Sequence, residues 1–197
     1  LLTTYHTVAE LLAFTHLAQL WEVIGNRPVE LSGAQLKALN HFFYASRDER
    51  RRYPLFELIA TLNAIFEQNG VDNFLEEFPD LTPLLTHPSQ LAEAIDFFET
   101  VNRQLLELKD GSMPEAQSVP LSRQAEEQLV VLLQALAFLV RYRMTSVKSI
   151  GILRYRHRKE AQFNHTLIEL IAPRINYKEL EEKQEFRPEA MYTASVY

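Results

Sequence analysis

The chain has 197 residues, 47% hydrophobic and 23% charged, with a formal net charge of −6. That is enough apolar material for one large or two small cores, and 5 glycines without any low-complexity tract argue against disorder. Cysteine is absent, which excludes disulfides, thiolate nucleophiles and Cys-ligated zinc and fits a cytoplasmic location.

The N-terminal residues Leu1-Leu2-Thr3-Thr4 lack the basic head and small-residue cleavage site of a secretory signal. Residues from about Thr4 to Ile24 predict a first helix with Leu17, Leu20, Trp21 and Ile24 at helical spacing, closed by Gly25 and Pro28. Ser32 followed by Gln35 is a capping-box pair, and Leu36, Leu39 and Phe43 mark one face of a second helix. Pro54 suits the first turn of a third, where Leu55, Leu58, Ile59, Leu62, Ile65 and Phe66 form an apolar stripe and Gly70 stands where a left-handed cap belongs. Between Val71 and Pro88, the prolines at 79, 83 and 88 permit only helices of one or two turns.

Ser89 opens a long helix in which Leu91, Ile95, Phe98, Val101, Leu105 and Leu108 share a face, ending at Asp110-Gly111. Ser112 to Pro120 reads as a loop, and Ser122 as the cap of a helix reaching about Arg143. That helix contains the most apolar run, Leu129 to Val140, interrupted by Gln134. A bilayer span needs about 20 apolar residues, so the run predicts a helix buried on most sides, around which the others pack.

Beyond Met144 the period changes to two. Val147, Leu153 and Tyr155 fall on one side, and Arg154, Arg156 and Arg158 on the other. With Phe163 to Ala172 also extended, a loop over Lys159–Gln162 predicts a hairpin pairing Leu153 with Ile168 and Tyr155 with Thr166. Glu169 then lies near Ile152 and Arg154. Asn176 with Glu179 suggests a short polar helix through Glu185, and Met191 to Tyr197 a third strand, cut where a longer polypeptide would continue. The expected fold is mainly α: a multi-helix, bundle-like assembly over 1–143, then a small antiparallel β element within 144–197.

Charge is uneven. Arg141, Arg143, Lys148, Arg154, Arg156, Arg158 and Lys159 occur without an acidic residue among them; without these seven cations the chain would carry −13. Interleaved with Tyr142, Tyr155 and His157, they suit phosphates and stacked bases, an acidic protein partner, or a solvated strand face. A second cluster, Arg47, Arg50, Arg51 and Arg52, precedes the third helix, where cations oppose the helix dipole. It serves as a linker, as the end of the preceding helix, or as a binding patch.

Catalytic signatures are thin. The histidines at 6, 16, 41, 87, 157 and 165 make no His-Glu-x-x-His or paired Glu-x-x-His spacing, the five glycines are isolated, and no Gly-x-Ser-x-Gly occurs. His6 and Glu10, four apart, fit a surface helix pair better than a metal site. No cofactor is called for. These exclusions favour a non-catalytic interaction or regulatory module of a larger polypeptide or complex, with a protein partner and no membrane span. Nucleic-acid binding through 141–159 is the first alternative, and an enzyme with a site assembled from distant residues the second.

Overall fold

The computed structural model describes residues 1–108, 115–142, 145–154, 162–169 and 182–187. Two compact units, Leu1–Ala137 and Phe138–Tyr197, make up the chain. As the periodicities predict, it is mainly helical with a small antiparallel sheet toward the C-terminus.

The first unit holds α1 (Leu2–Asn26), α2 (Gly33–Tyr44), α3 (Arg47–Arg51), α4 (Leu55–Gln68), α5 (Phe78–Thr86), α6 (Gln90–Glu107) and α7 (Glu115–Ala135). Local signals start and stop several of these. The Ser32 hydroxyl accepts from the Gln35 amide while the Gln35 side chain accepts from the Ser32 N–H, completing the expected capping box. Ser89 caps α6 through the Ala92 N–H. At the end of α4, Val71 donates to Phe66 and Gly70 to Glu67, the Schellman pattern, with Gly70 at φ 57°. A side chain there would be strained, so Gly70 is needed for its backbone.

The core is built on α4. Its Phe56, Leu58, Ile59, Leu62, Ile65 and Phe66 are all buried, against α1, α2 and α5. Leu91, Ile95, Phe98 and Val101 of α6 extend this core as predicted, with α5 and α7 alongside. The Leu129–Val140 run is therefore not the centre. α7 ends at Ala135, a 3-10 turn follows over Ala137–Arg141, and only Leu129, Leu132 and Leu136 of the run are buried. Val130 is 53% and Leu133 42% exposed. One stripe of α7 meets α6, and a run apolar at almost every position conceals which stripe that is.

Other helix predictions also need correction. α7 begins at Glu115, so 115–120 is helix rather than loop and Ser122 is not its cap. Pro120 sits within the first two turns, where its missing N–H forfeits one internal bond, a loss a 21-residue helix absorbs. In α2 the buried residues are Leu39 and Phe42, while Leu36 and Phe43 are about half exposed. α1 runs through Gly25 to Asn26, where the Arg27 N–H donates to the Val23 carbonyl. Trp21 and Ile24 are exposed rather than buried with Leu17 and Leu20.

In the second unit, β1 (Thr145–Leu153), β2 (Gln162–Glu169) and β3 (Glu182–Arg187) form one antiparallel sheet in that order. The hairpin exists, but its register differs from the expected one: Leu153 pairs with Gln162, Ser146 with Ile168, and Glu169 lies across from Thr145. The Arg154–Glu169 cross-strand pairing is thus excluded. The cause is the connection: β1 ends at Leu153 and β2 begins at Gln162, well outside the four-residue loop expected. Beyond that shift, a bulge between Val147 and Ser149 adds one more residue, Lys148. It breaks strict period two and sets Val147, Ile150 and Ile152 opposite Leu167, His165 and Phe163. Glu182–Glu185, the end of the predicted polar helix, instead belongs to β3 and is paired to β2. Its Glu, Lys and Gln favour helix locally, and the open edge of β2 overrides that preference by satisfying the backbone. The expected strand 191–197 lies outside the described residues.

Among the described residues of the first unit, two buried polar side chains, His16 and Asn63, interrupt the apolar core. The His16 ring packs edge-on to Phe78 at 4.6 Å, and its Nδ1–H donates to the Leu12 carbonyl at 2.7 Å. Burial holds its pKa below the ordinary 6.5, opposed by the Leu12 carbonyl and Asn63. Because the unfolded chain binds the proton more readily, His16 should cost stability as pH falls through about 6.5. Urea unfolding between pH 8 and 5 should show that loss in the wild type and a shallower one in His16→Leu. A second measurement checks the core assignment. Leu132→Ala should cost roughly 2 to 5 kcal/mol, and Leu133→Ala, despite its place in the same run, less than about 1 kcal/mol.

Candidate interaction surface

α1 carries two apolar faces. Tyr5, Ala9, Leu12, Ala13, His16, Leu17 and Leu20 are buried toward α4 and α6. On the opposite side Thr7, Leu11, Phe14, Ala18, Trp21 and Gly25 are all exposed, stepping alternately by four and three residues. That is the 3.5-residue repeat with which one helix packs along another. Trp21, the chain's one tryptophan, is 70% exposed, Phe14 49% and Leu11 39%. The Thr7 hydroxyl donates back to the Thr3 carbonyl at 2.9 Å, so the polar atom of this seam is already satisfied. Glu10 and Glu22 flank the seam and no charge lies within it. Exposed apolar residues scattered singly need no explanation; a continuous stripe along one helix does.

The first unit also contains a polar cleft lined by Tyr5, His6, Ala9, Arg52, Tyr53, Leu55, Glu99, Asn102 and Arg103. Tyr5 stacks on Phe98 at 4.8 Å, and its hydroxyl is hydrogen-bonded to Glu99. The Asn102 amide donates to the Arg51 carbonyl at 2.8 Å, tying α6 to the end of α3. The Glu99 carboxyl is pushed up to about 7, first by burial, then by Glu57 and Asp96, against the pull of Arg103 and Tyr5. Burial, then Glu99, raises the Tyr5 phenol as well. With a volume of about 30 Å³ the cleft admits water only; small-molecule sites occupy roughly 300 to 1,000 Å³.

The arginine cluster before α4 forms its own short helix. Ser46 caps α3 with Glu49 completing the box, Asp48 and Glu49 lie in the first turn, and Arg50 and Arg51 in the last. This order suits the helix dipole and resolves the conflict expected had the cations begun α4. Of the basic segment, Arg141 ends the 3-10 turn, Lys148 is the bulge residue of β1, and Arg154 directly follows β1; all three are exposed. Arg143, Arg156, Arg158 and Lys159, and with them the row of alternating arginines, lie outside the described residues.

Among the described residues no helix is long and apolar enough to cross a membrane. No family model matches the chain, and neither a curated protein nor a solved structure matches it.

Sequence reasoning missed the α1 seam, although its signal was present. Two interleaved apolar stripes run through Leu2–Asn26, and only one can face the core. The Glu99 cleft left no sequence signal, because its residues come from three separate stretches.

The cleft generates a pH prediction. A carboxyl raised in the fold favours the protonated state, so its contribution is fully present below its ordinary value of 4.5 and lost as pH rises toward about 7. Glu99→Gln, which stays neutral, should therefore melt higher than the wild type at pH 8, with the difference vanishing near pH 4.5. An equal melting temperature at both pH values would show Glu99 to be solvated.

Proposed function

We propose that this protein is a non-catalytic interaction module that takes an apolar helix along the outer face of α1. The observation that supports this reading is the seam itself: Leu11, Phe14, Ala18 and Trp21 exposed at coiled-coil spacing on a helix whose other face is held in the core. An isolated helix this apolar would have no defined orientation. Here the buried face fixes it, so the outer residues are presented on a rigid support and little ordering entropy opposes docking. Aromatic residues are the commonest anchors of protein interfaces, and Trp21 and Phe14 stand one heptad apart.

The test is affinity capture from a cell extract with the intact chain, compared with a Phe14→Glu/Trp21→Glu double variant. Both residues are exposed, so the melting temperature should change by no more than a few degrees. Retention of the captured polypeptide should fall roughly 30-fold or more. Binding that survives the double substitution and weakens steeply with salt would move the assignment to the basic segment 141–159.

A further inference from the structure

We infer that the helix taken by this face is α1 of a second copy, packed antiparallel. The inference rests on the docking role proposed above and names the occupant. Its ground is self-complementarity. With two copies of α1 antiparallel and centred at the level of His16, Phe14 faces the partner's Ala18, Leu11 the partner's Trp21, and Thr7 the partner's Gly25. Each contact sets a larger side chain against a smaller one, and the two-fold symmetry makes each occur twice. A parallel pairing would set Trp21 against Trp21 and Phe14 against Phe14, and leave a gap between the two Ala18 residues.

Charge is compatible with the antiparallel arrangement. The acidic residues flanking the seam are Glu10 and Glu22, both exposed. In an antiparallel helix pair, positions on one flank meet the same flank of the partner. Glu10 then lies across from the partner's Ile24 and Glu22 across from the partner's Val8, so no carboxylate opposes another. Ile24, 46% exposed at the rim, gains a cover for its apolar side chain.

Area sets the strength. At about 150–250 Å² per fully covered aromatic, Trp21 at 70% and Phe14 at 49% exposure offer roughly 200–300 Å² per copy. With Leu11, Ala18, Ile24 and the flanks, the pair buries on the order of 1,000 Å² in total, just below the range of standard stable interfaces. The dimer is therefore weak and concentration-dependent, dissociating in the micromolar range.

Sedimentation of the intact chain from about 1 to 300 µM tests this directly. The weight-average mass should rise from 22.9 kDa toward twice that value, with emission from the single tryptophan shifting as Trp21 is covered. Trp21→Ala and Phe14→Ala should each keep the mass at the monomer value at all concentrations while leaving the melting temperature nearly unchanged. Orientation is read by oxidative cross-linking, clean in a chain without cysteine. Thr7→Cys mixed with Gly25→Cys should give a covalent heterodimer, whereas Thr7→Cys alone should give none, because antiparallel copies hold residues 7 about 27 Å apart. A cysteine at 25 meets no neighbouring atom within 4 Å. Homodimers of Thr7→Cys alone would overturn the antiparallel register. A constant monomer mass would overturn self-pairing, while the docking role would stand if Phe14→Glu/Trp21→Glu still abolished capture of another polypeptide. A dimer indifferent to both alanine substitutions would use a different face and overturn this inference as well.

Discussion

The burial of α4 is the constraint on which the helical unit depends. Its six large apolar residues are nearly inaccessible, and they turn to three neighbours: α1, α2 and α5. Each such side chain contributes roughly 1.5 to 3 kcal/mol on leaving water, so no other element of comparable length stabilises the unit as much. The ends of α4 follow from the same requirement. Pro54 begins it, and Gly70 turns the chain so that Val71 can close the last carbonyls, allowing the helix to stop without leaving buried polar groups unpaired.

Once α4 is covered, α1 is fixed in rotation. Ala9, Ala13 and Leu17 let it lie close, and His16 reaches into the core with its Nδ1–H satisfied by its own helix. The consequence for function is geometric. The residues half a turn away from this contact, Phe14 and Trp21 foremost, are pointed outward and held there by packing on the other side. Leu11, Phe14, Ala18 and Trp21 therefore stand exposed in one row along the outer side of α1.

Two titratable groups of the unit are shifted by burial in opposite directions. Tyr5 and Glu99 share a hydrogen bond beneath His6, Arg52 and Arg103, and the carboxyl takes a proton near neutral pH because burial and its acidic neighbours outweigh Arg103. His16 is pushed the opposite way by the same burial. The two groups thus work against each other between about pH 5 and 7, Glu99 favouring the acidic side and His16 the neutral side, which flattens the pH dependence of the fold.

Much of the architecture was legible in the sequence wherever the determining partners lie within four residues. The Ser32–Gln35 box, the Ser89 cap, the Gly70 turn and the stripe of α4 are local bargains between neighbouring side chains and backbone, and each is found where its pattern predicts. What sequence left open were choices between local solutions of similar energy. α1 has two apolar stripes and Leu129–Val140 is apolar nearly throughout, so periodicity names a helix but not its buried side; contact with α4 and with α6 decides that. Glu182–Glu185 reads as helix on its own and joins a strand because β2 offers an edge to pair with. The hairpin register moved because β1 ends at Leu153 and β2 begins at Gln162, a longer connection than expected, with the Lys148 bulge shifting it by one more. Where pairing closes is a property of two strands together rather than of either one. The sequence by itself determined most of the points where helices begin, end and turn; tertiary structure alone decided which face is hidden and which stays exposed, because burial depends on residues far away along the chain.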